Sequence, residues 1–362
     1  MKLSVLCLFA CLPWTFDALA GTAESSRSHF VADEGTSVQA ALADGNGAYV
    51  SAIFGNGKAY GKNVGSDTTV HWRAMDVRFG RDLSPSFFYP ASLLSDREKL
   101  RADMVYYNEG HPNNNHRDGF AAQLVYANRF RRNLAVEFGI GPYLNMNTTT
   151  IDGREIDESH WGGLISAALR VGLDQYSPGL HLRIGINHAV VHDAHSSTAL
   201  MAGIGKYFDA APAYPDEGSG PHPFWLGVAT GSSKTNQTMT DMTYGISLEG
   251  KRYWGQWAAS VSALAEGDDG SRVNRYGIAA QGWYVQSLTD KWSVSAGVGP
   301  YLARNERASD DNFRVDGLLT FQAERLLSHS VKVYASFSRV QTFREKNDRD
   351  LFRIGVMKQF GG

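Results

Sequence analysis

The sequence is almost free of cysteine: only Cys7 and Cys11 occur among its 362 residues, and both lie within the first 20. Those 20 residues are typical of a secretory signal peptide, with a basic Lys2, a short apolar segment and a small-residue cleavage site at Ala18-Leu19-Ala20. Removal of this segment leaves a mature chain without cysteine. Disulfide bonds and thiol catalysis are therefore excluded from the exported protein.

The sequence also lacks a long apolar run after the signal, a strong net charge and many prolines. The formal net charge is −2, so no electrostatic field indicates a nucleic-acid partner. Proline is scarce, with 11 residues, whereas glycine contributes 38 residues and aromatic residues 12% of the chain. This balance favours an all-β protein with many tight turns.

A repeated hexapeptide, GIGPYL at Gly139–Leu144 and GVGPYL at Gly297–Leu302, belongs to a longer internal match. Residues 117–144 align without gaps on residues 275–302, which indicates a duplication with a period of about 155 residues. Solenoid repeats are 20 to 50 residues long. The repeated unit should therefore be a whole sheet or domain.

Each copy has the alternation of half-buried strands. Leu134, Val136, Phe138 and Ile140 alternate with smaller or polar residues, and Trp292–Gly299 repeats the pattern. We expect about eight strands per copy. In the second copy they should begin near Trp225, Thr243, Trp257, Tyr276, Lys291, Arg314, Ser330 and Leu351.

The strand connections alternate between short turns and long polar loops, which is typical of a transmembrane β-barrel. In the first copy the loops are predicted at Tyr107–Gly119, in a segment ending at His160, and at Asn187–Ser197; Ser84–Leu100 is predicted to be an insertion. A periplasmic β-sandwich is the alternative, but it would need an apolar interior. Here charged side chains point inward, and those predicted to line the lumen are Glu137, Arg170, Arg183, Glu324 and Arg353.

These features resemble the small eight-stranded outer-membrane β-barrel proteins of Gram-negative bacteria. The last strand ends in Lys358-Gln359-Phe360, and such a terminal aromatic residue is used in that class for recognition by the barrel-assembly machinery. The resemblance implies an outer-membrane location, with outer-membrane lipid and lipopolysaccharide as surroundings. Gly361-Gly362 after the aromatic residue is a departure from the pattern.

Eight duplicated strands could form two tandem barrels or merge into one 16-stranded barrel with an aqueous channel. We favour two barrels because residues 209–223 contain four prolines and suit a spacer. The predicted organisation is a signal peptide (1–20), a mobile periplasmic segment (21–46) with a short helix near Val38–Ala43, a first eight-stranded unit (47–208), the spacer, and a second unit (224–362).

The histidine-bearing loops of the first copy are the candidate place for chemistry. Lipid A deacylases, a family of eight-stranded barrels, carry a His and a Ser two positions apart on a late strand. His188 is similar to that histidine, but Val190 occupies the place of the serine. The resemblance therefore requires Ser196 or Ser197 as nucleophile, with Asp193 or Glu109 orienting the base.

Metal binding by His188, His192 and His195, with His111 or His116, is a further hypothesis. The i, i+4, i+7 spacing suits a helix, whereas this segment should be strand and loop. No motif for a nucleotide, a phosphate or another cofactor is present. We expect a non-enzymatic structural or surface-interaction role through the loops, for an external ligand that the sequence does not identify. Passive diffusion of small solutes and lipid A-directed acyl hydrolysis are the alternatives.

Overall fold

The computed structural model describes residues 47–60, 74–83, 93–95, 97–110, 115–151, 154–192, 194–208, 224–235, 240–308, 312–343 and 347–360. Within them the chain forms 16 antiparallel strands arranged as two closed barrels of eight. The all-β prediction and the preference for two tandem barrels are confirmed.

The strands of the first barrel follow one another around it in chain order. They are β1 (Ala48–Tyr60), β2 (Ala74–Asp82), β3 (Glu98–Gly110), β4 (Asn115–Arg131), β5 (Leu134–Ile151), β6 (Arg154–Gly172), β7 (Leu180–Val191) and β8 (Ser196–Phe208).

The second barrel has the same order of strands. They are β9 (Phe224–Thr235), β10 (Thr243–Trp254), β11 (Trp257–Asp268), β12 (Asn274–Ser287), β13 (Trp292–Asn305), β14 (Arg314–Ser328), β15 (Val331–Gln341) and β16 (Arg349–Phe360). Each begins within two residues of its predicted start.

Closure of each barrel decides against the merged 16-stranded alternative. β8 pairs with β1 along the whole of β1, from Ala48↔Phe208 to Tyr60↔Ser196. β16 pairs with β9 in the same way, from Phe360↔Phe224 to Arg349↔Thr235. Because each unit satisfies the backbone hydrogen bonds of its own first and last strands, neither barrel has an open edge to offer the other.

The repeated hexapeptide has the same structural role in both barrels. The β4–β5 ladder pairs Ala121 with Tyr143 and resumes at Leu124 and Ile140, so it is interrupted opposite Gly141-Pro142. The β12–β13 ladder is interrupted at the corresponding place, opposite Gly299-Pro300. Proline has no N–H to donate. A Cβ atom on Gly141 would lie 1.7 Å from the Ala122 carbonyl oxygen, so any residue with a side chain would clash at this position.

Several segments predicted to be loops are strands. β3 continues to Gly110 and β4 begins at Asn115, so most of the predicted 107–119 loop is paired. β5 and β6 form a long hairpin of 18 and 19 residues, which places His160 in β6 rather than in a loop. β3 begins at Glu98, inside the predicted insertion. A polar, histidine-rich composition predicts loops, but strands that extend beyond the apolar part of a barrel wall can be polar on both faces.

Some predictions fall on residues outside those described: the signal peptide, the 21–46 segment with its helix, residues 84–92 of the insertion, His111 and the 209–223 spacer. No helix among the described residues is long and apolar enough to cross a membrane.

Candidate functional site

The lumen of the first barrel is closed near the short-turn end by a cluster around Glu137. Its carboxylate accepts hydrogen bonds from Arg101 Nη1 (2.9 Å), Arg170 Nη1 (3.3 Å) and Arg183 Nε (3.1 Å). The three arginines belong to β3, β6 and β7, so one carboxylate on β5 links much of the wall. The Glu137 side chain is only 1% exposed.

A second layer lies in the middle of the same lumen. Arg78 on β2 donates to Asp76 (Nε, 2.9 Å), Asp103 (3.3 Å) and Gln123 (3.0 Å). Asn187 on β7 donates to Asp76 across the barrel, at 2.7 Å. Since Asp103 also accepts from Arg101 at 2.6 Å, this layer and the Glu137 cluster form one continuous network.

A third layer near the long-loop end is centred on Glu109. Its carboxylate accepts from Tyr143 (2.8 Å) and Asn145 (2.7 Å), forms an ion pair with Arg117 (3.2 Å) and also accepts from the hydroxyl of Ser197. Inward-facing apolar side chains, among them Ile53, Val105 and Leu164, form a buried cluster with Tyr107 and Tyr143 in the same lumen. Polar layers and this apolar cluster together fill the first lumen over its described height.

The second barrel has its own carboxylate-centred cluster. Glu324 accepts from Lys251 (3.2 Å), Lys332 (2.7 Å), Tyr253 (2.8 Å) and Gln322 (2.8 Å). The two ammonium groups also lie over aromatic rings. Lys251 is 3.5 Å from the centroid of Trp283, which adds a cation–π contact.

The middle and upper parts of this lumen are also occupied. Gln281 donates to Thr320 at 3.1 Å, and Thr320 donates to Ser338 at 2.9 Å. Near the long loops, Arg275 forms a bidentate ion pair with Glu266, through hydrogen bonds of 2.7 and 3.0 Å. Within the described residues, hydrogen-bonded side chains and buried apolar clusters therefore span both lumens.

All five residues predicted to line a lumen are inside a barrel. Glu137, Arg170 and Arg183 form one cluster, Glu324 centres another, and Arg353 is buried in the second lumen. Sequence reasoning missed Arg78 and Arg101 together with their partners. Their signal was a charge pair spaced two residues apart, as in Asp76/Arg78 and Arg101/Asp103, which puts both charges on one face of a strand.

The predicted catalytic residues of the first barrel lie on opposite faces of its wall. Ser197 points into the lumen and bonds Glu109, whereas His188 points outward. The hydroxyl beside His188 is that of Thr198, 2.8 Å from the histidine Nδ1. Tyr60 on β1 donates to the same hydroxyl, and its ring stacks on the imidazole with centroids 6.2 Å apart.

Ser196 and Asp193 are also predicted for this site. Ser196 begins β8 opposite Tyr60, and Asp193 lies outside the described residues. Across the described chain, which includes His188, His192 and His195, no three His, Cys, Asp or Glu side chains are grouped to hold a metal ion. Metal binding at these histidines remains a prediction.

The 269–273 loop of the second barrel is ordered by one carboxylate. Asp269 Oδ1 accepts from the backbone N–H groups of Ser271 (3.0 Å), Arg272 (2.7 Å) and Val273 (2.9 Å), and Oδ2 accepts from Thr235 (3.0 Å). Burial by itself would raise the pKa of this carboxyl, but these hydrogen bonds hold the pKa below its ordinary value.

The outer wall of both barrels is an apolar band between aromatic rows. Exposed aliphatic residues occupy the middle of the strands: Ile140, Ile165, Ile186, Leu200, Val228, Ile246, Val261, Ile278, Val298 and Ile354. Exposed aromatic residues lie toward the two ends: Phe130, Phe224, Trp257 and Phe360 beside the short turns, and Trp161, Tyr244, Phe313 and Phe343 beside the long loops.

No family model matches the sequence, and no curated protein matches it. Among solved structures the chain is similar to Neisserial surface protein A, with 15% identity, 44% of this chain and 97% of that chain covered, and a TM-score of 0.32. It is also similar to the translocator domain of autotransporter NalP from Neisseria meningitidis (12% identity, 87% and 88% covered, TM-score 0.23). A third is the Pseudomonas putida toluene transporter TodX (9% identity, 87% and 89% covered, TM-score 0.23).

Proposed function

We propose that this chain is an outer-membrane protein whose two sealed barrels anchor and display extracellular loops in a structural or surface-interaction role. The observation that carries the proposal is that buried side chains, in hydrogen-bonded layers and apolar clusters, fill both lumens over the described residues while the outer walls are apolar. A barrel of this kind is stable in a membrane and presents only its loops to the outside.

The apolar band and its aromatic rows support the membrane location. Transmembrane barrels have an apolar outer band about 25 Å tall, flanked by aromatic residues at both interfaces. The signal peptide directs the chain to export, and the aromatic end of β16 suits the barrel-assembly machinery. We also infer that the two barrels arose by duplication of one unit, since the interrupted Gly-Pro ladder recurs at the same strand pair.

The filled lumens argue against passive diffusion of small solutes. In an eight-stranded barrel the interior is just wide enough for side chains to fill, whereas 16 strands leave a channel. In the first barrel, Asn187 on β7 bonds Asp76 on β2, so the network joins facing walls. An ion crossing this lumen would have to break buried ion pairs.

Single-channel recording on refolded protein in a planar bilayer tests the proposal. Folding is checked first by the faster migration of unheated protein in SDS gels. We expect no stable conductance steps from folded protein, and steps of porin size would overturn the sealed-barrel role. An unrelated 16-stranded porin, inserted in the same bilayers, serves as the positive control.

Acyl hydrolysis is a second candidate because of the contact between His188 and Thr198. A histidine 2.8 Å from a hydroxyl is the geometry of a base and the nucleophile it activates. The pair lies on the outer wall, where a lipid ester could reach it. In this hypothesis the hydroxyl of Thr198, not of Ser196 or Ser197, attacks the ester carbonyl while His188 takes the hydroxyl proton. The ester C–O bond breaks, His188 gives that proton to the departing alcohol, and water then hydrolyses the acyl–Thr198 ester to release the fatty acid.

Release of fatty acid from lipopolysaccharide or phospholipid micelles by the folded protein tests this second candidate. Activity should disappear in His188→Ala and in Thr198→Val, and should persist in Ser197→Ala. Activity that survives the first two changes, or no activity in the unaltered protein, would reject hydrolysis at this site.

A further inference from the structure

An ion pair with hydrogen bonds joins the outer walls of the two barrels. Arg339 on β15 donates to Asp118 on β4 through Nη1 (3.4 Å) and Nη2 (3.2 Å). The same guanidinium is held by Asp350 on the neighbouring strand, through Nη2 at 2.9 Å. Tyr106 donates to Asp118 at 2.9 Å. Arg339 and Asp118 are therefore each held in position by a residue of their own barrel.

An aromatic layer lies beside this bond. The ring of Phe321 from the second barrel stacks on Phe120 at 5.0 Å and meets Phe79 edge-on at 5.7 Å. Phe337, also from the second barrel, contacts Tyr106 at 5.9 Å. These distances fall in the range of favourable aromatic pairs.

Burial shows how closely the walls fit. Phe79 and Phe120 point outward, yet each is only 6% exposed, whereas the outward Phe138 is 56% exposed. Arg339 and Asp118 are each about as buried, at 2%. A charge on a membrane-facing wall is costly unless it is paired. Arg339 has Asp350 and Asp118 has His116 (3.5 Å) within their own barrels, and the bond between them gives each charge a further partner from the facing wall.

The two barrels use different faces in this contact. Their positions can be matched through Gln123 and Gln281, which donate to the carbonyl oxygens of Leu164 on β6 and Leu318 on β14. Strand for strand, the first barrel contributes its second to fourth strands. The second barrel contributes mainly its sixth to eighth strands, and Tyr284 on its fourth strand also contacts Arg81 of the first barrel. The contact is therefore heterologous, a type that can repeat into open chains of subunits.

The copies have diverged at the positions that would allow such repetition. By strand pairing, Arg339 and Asp350 correspond to His188 and Thr198 of the first barrel. The counterpart of Asp118 is Tyr276, at the same place on β12. The first barrel thus lacks the guanidinium, and the second barrel lacks the carboxylate that it would bind.

We propose that the second barrel is a specific partner for the first. The bond of Arg339 to Asp118 and the adjoining aromatic layer hold the two barrels side by side even when the chain between them is cut. The assembly stops at one first barrel and one second barrel, and no further barrel adds to the pair. This surface lies on the membrane-facing walls, so the inference is independent of what the loops bind.

Cleavage of the folded full chain tests the proposal. A protease site is placed within residues 209–223, the protein is refolded in detergent, cut, and passed through a gel-filtration column. We expect the two halves of the unaltered sequence to elute together. In Asp118→Asn/Phe321→Ala they should separate, with the dissociation constant raised about tenfold or more because a charged hydrogen bond and a ring contact are lost.

The matched control is Asp268→Asn/Phe138→Ala, which removes an ion-paired carboxylate and an outward phenylalanine that do not lie between the barrels. Its halves should stay together. Gel migration without heating shows whether each half remains folded.

Three results would overturn the inference: separation of the unaltered halves, co-elution of folded halves of the double variant, and self-association of the uncut chain in sedimentation. If the double variant does not fold, Asp118→Asn alone decides, because Arg339 keeps Asp350 and no unpaired charge is created. Weakened association in that variant supports the proposal, and unchanged association contradicts it.

Discussion

The replacement of Glu137 by glutamine tests most directly whether the first lumen is a dry, paired interior. Glutamine has the same shape, so the change removes the charge and creates no cavity. Arg101 keeps Asp103 as a partner. Arg170 and Arg183 lose the carboxylate that accepts their hydrogen bonds.

The expected loss follows from these contacts. Breaking a buried ion pair by removing one partner costs about 3–5 kcal/mol, because the other charge stays buried and uncompensated. Glu137 is 1% exposed and serves three guanidinium groups, so the effect should reach at least the lower end of that range. With a urea dependence of about 2 kcal/mol per molar, a loss of about 3 kcal/mol lowers the unfolding midpoint by roughly 1.5 M.

The assay is urea unfolding in lipid vesicles, followed by the gel migration of unheated samples. Glu158→Gln is the control, since this side chain on β6 is 45% exposed and its ion pair among the described residues is with His160; it should leave the midpoint unchanged. A loss below about 1 kcal/mol for Glu137→Gln would refute the reasoning. Such a result would mean that water screens these charges and that the lumen is wet.

Three further predictions concern the second barrel and the repeated hexapeptide. Glu324→Gln should destabilise the protein by a similar few kcal/mol, again in urea unfolding, since two buried ammonium groups lose their carboxylate. Gly141→Ala should lower the unfolding midpoint because its Cβ would meet a carbonyl oxygen at 1.7 Å, whereas Gly282→Ala, whose Cβ meets nothing within 4 Å, should not; equal effects would contradict the steric explanation. Because the folded pKa of Asp269 is lowered, its contribution to stability is present above the ordinary aspartate pKa and is lost as pH falls through the depressed pKa. The protection of the 271–273 amides, measured as their exchange rate relative to the intrinsic rate at each pH, should therefore fall at low pH, and Asp269→Ala should remove that dependence.

Much of the fold could be predicted because strand alternation is a local property. Side chains two residues apart share a face, so the polar Glu137 and the apolar Ile140 were assigned to opposite faces from the sequence alone. Strand ends were harder to predict in the first barrel. His160 stands in a polar stretch that reads as a loop, yet the long β5–β6 hairpin pairs it with Asn145.

The candidate site was less accessible to sequence reasoning because it depends on which strands are neighbours. Ser196 and Ser197 are predicted as partners of His188 because they lie across the hairpin from it. A one-residue difference in position decides which side of the wall a side chain occupies, and it placed Ser197 with Glu109 and Thr198 with His188. The partners of Glu137 come from β3, β6 and β7, and no local pattern joins them.

The sequence alone determined the class of fold and the inward face of the strands that carry Glu137, Arg170, Arg183, Glu324 and Arg353, because alternation is a local pattern along the chain. Only the tertiary structure decided that each unit closes on itself, since closure is the pairing of strands up to about 160 residues apart. It alone also brought Asp118 to Arg339, because a contact between the outer walls depends on how two finished barrels pack.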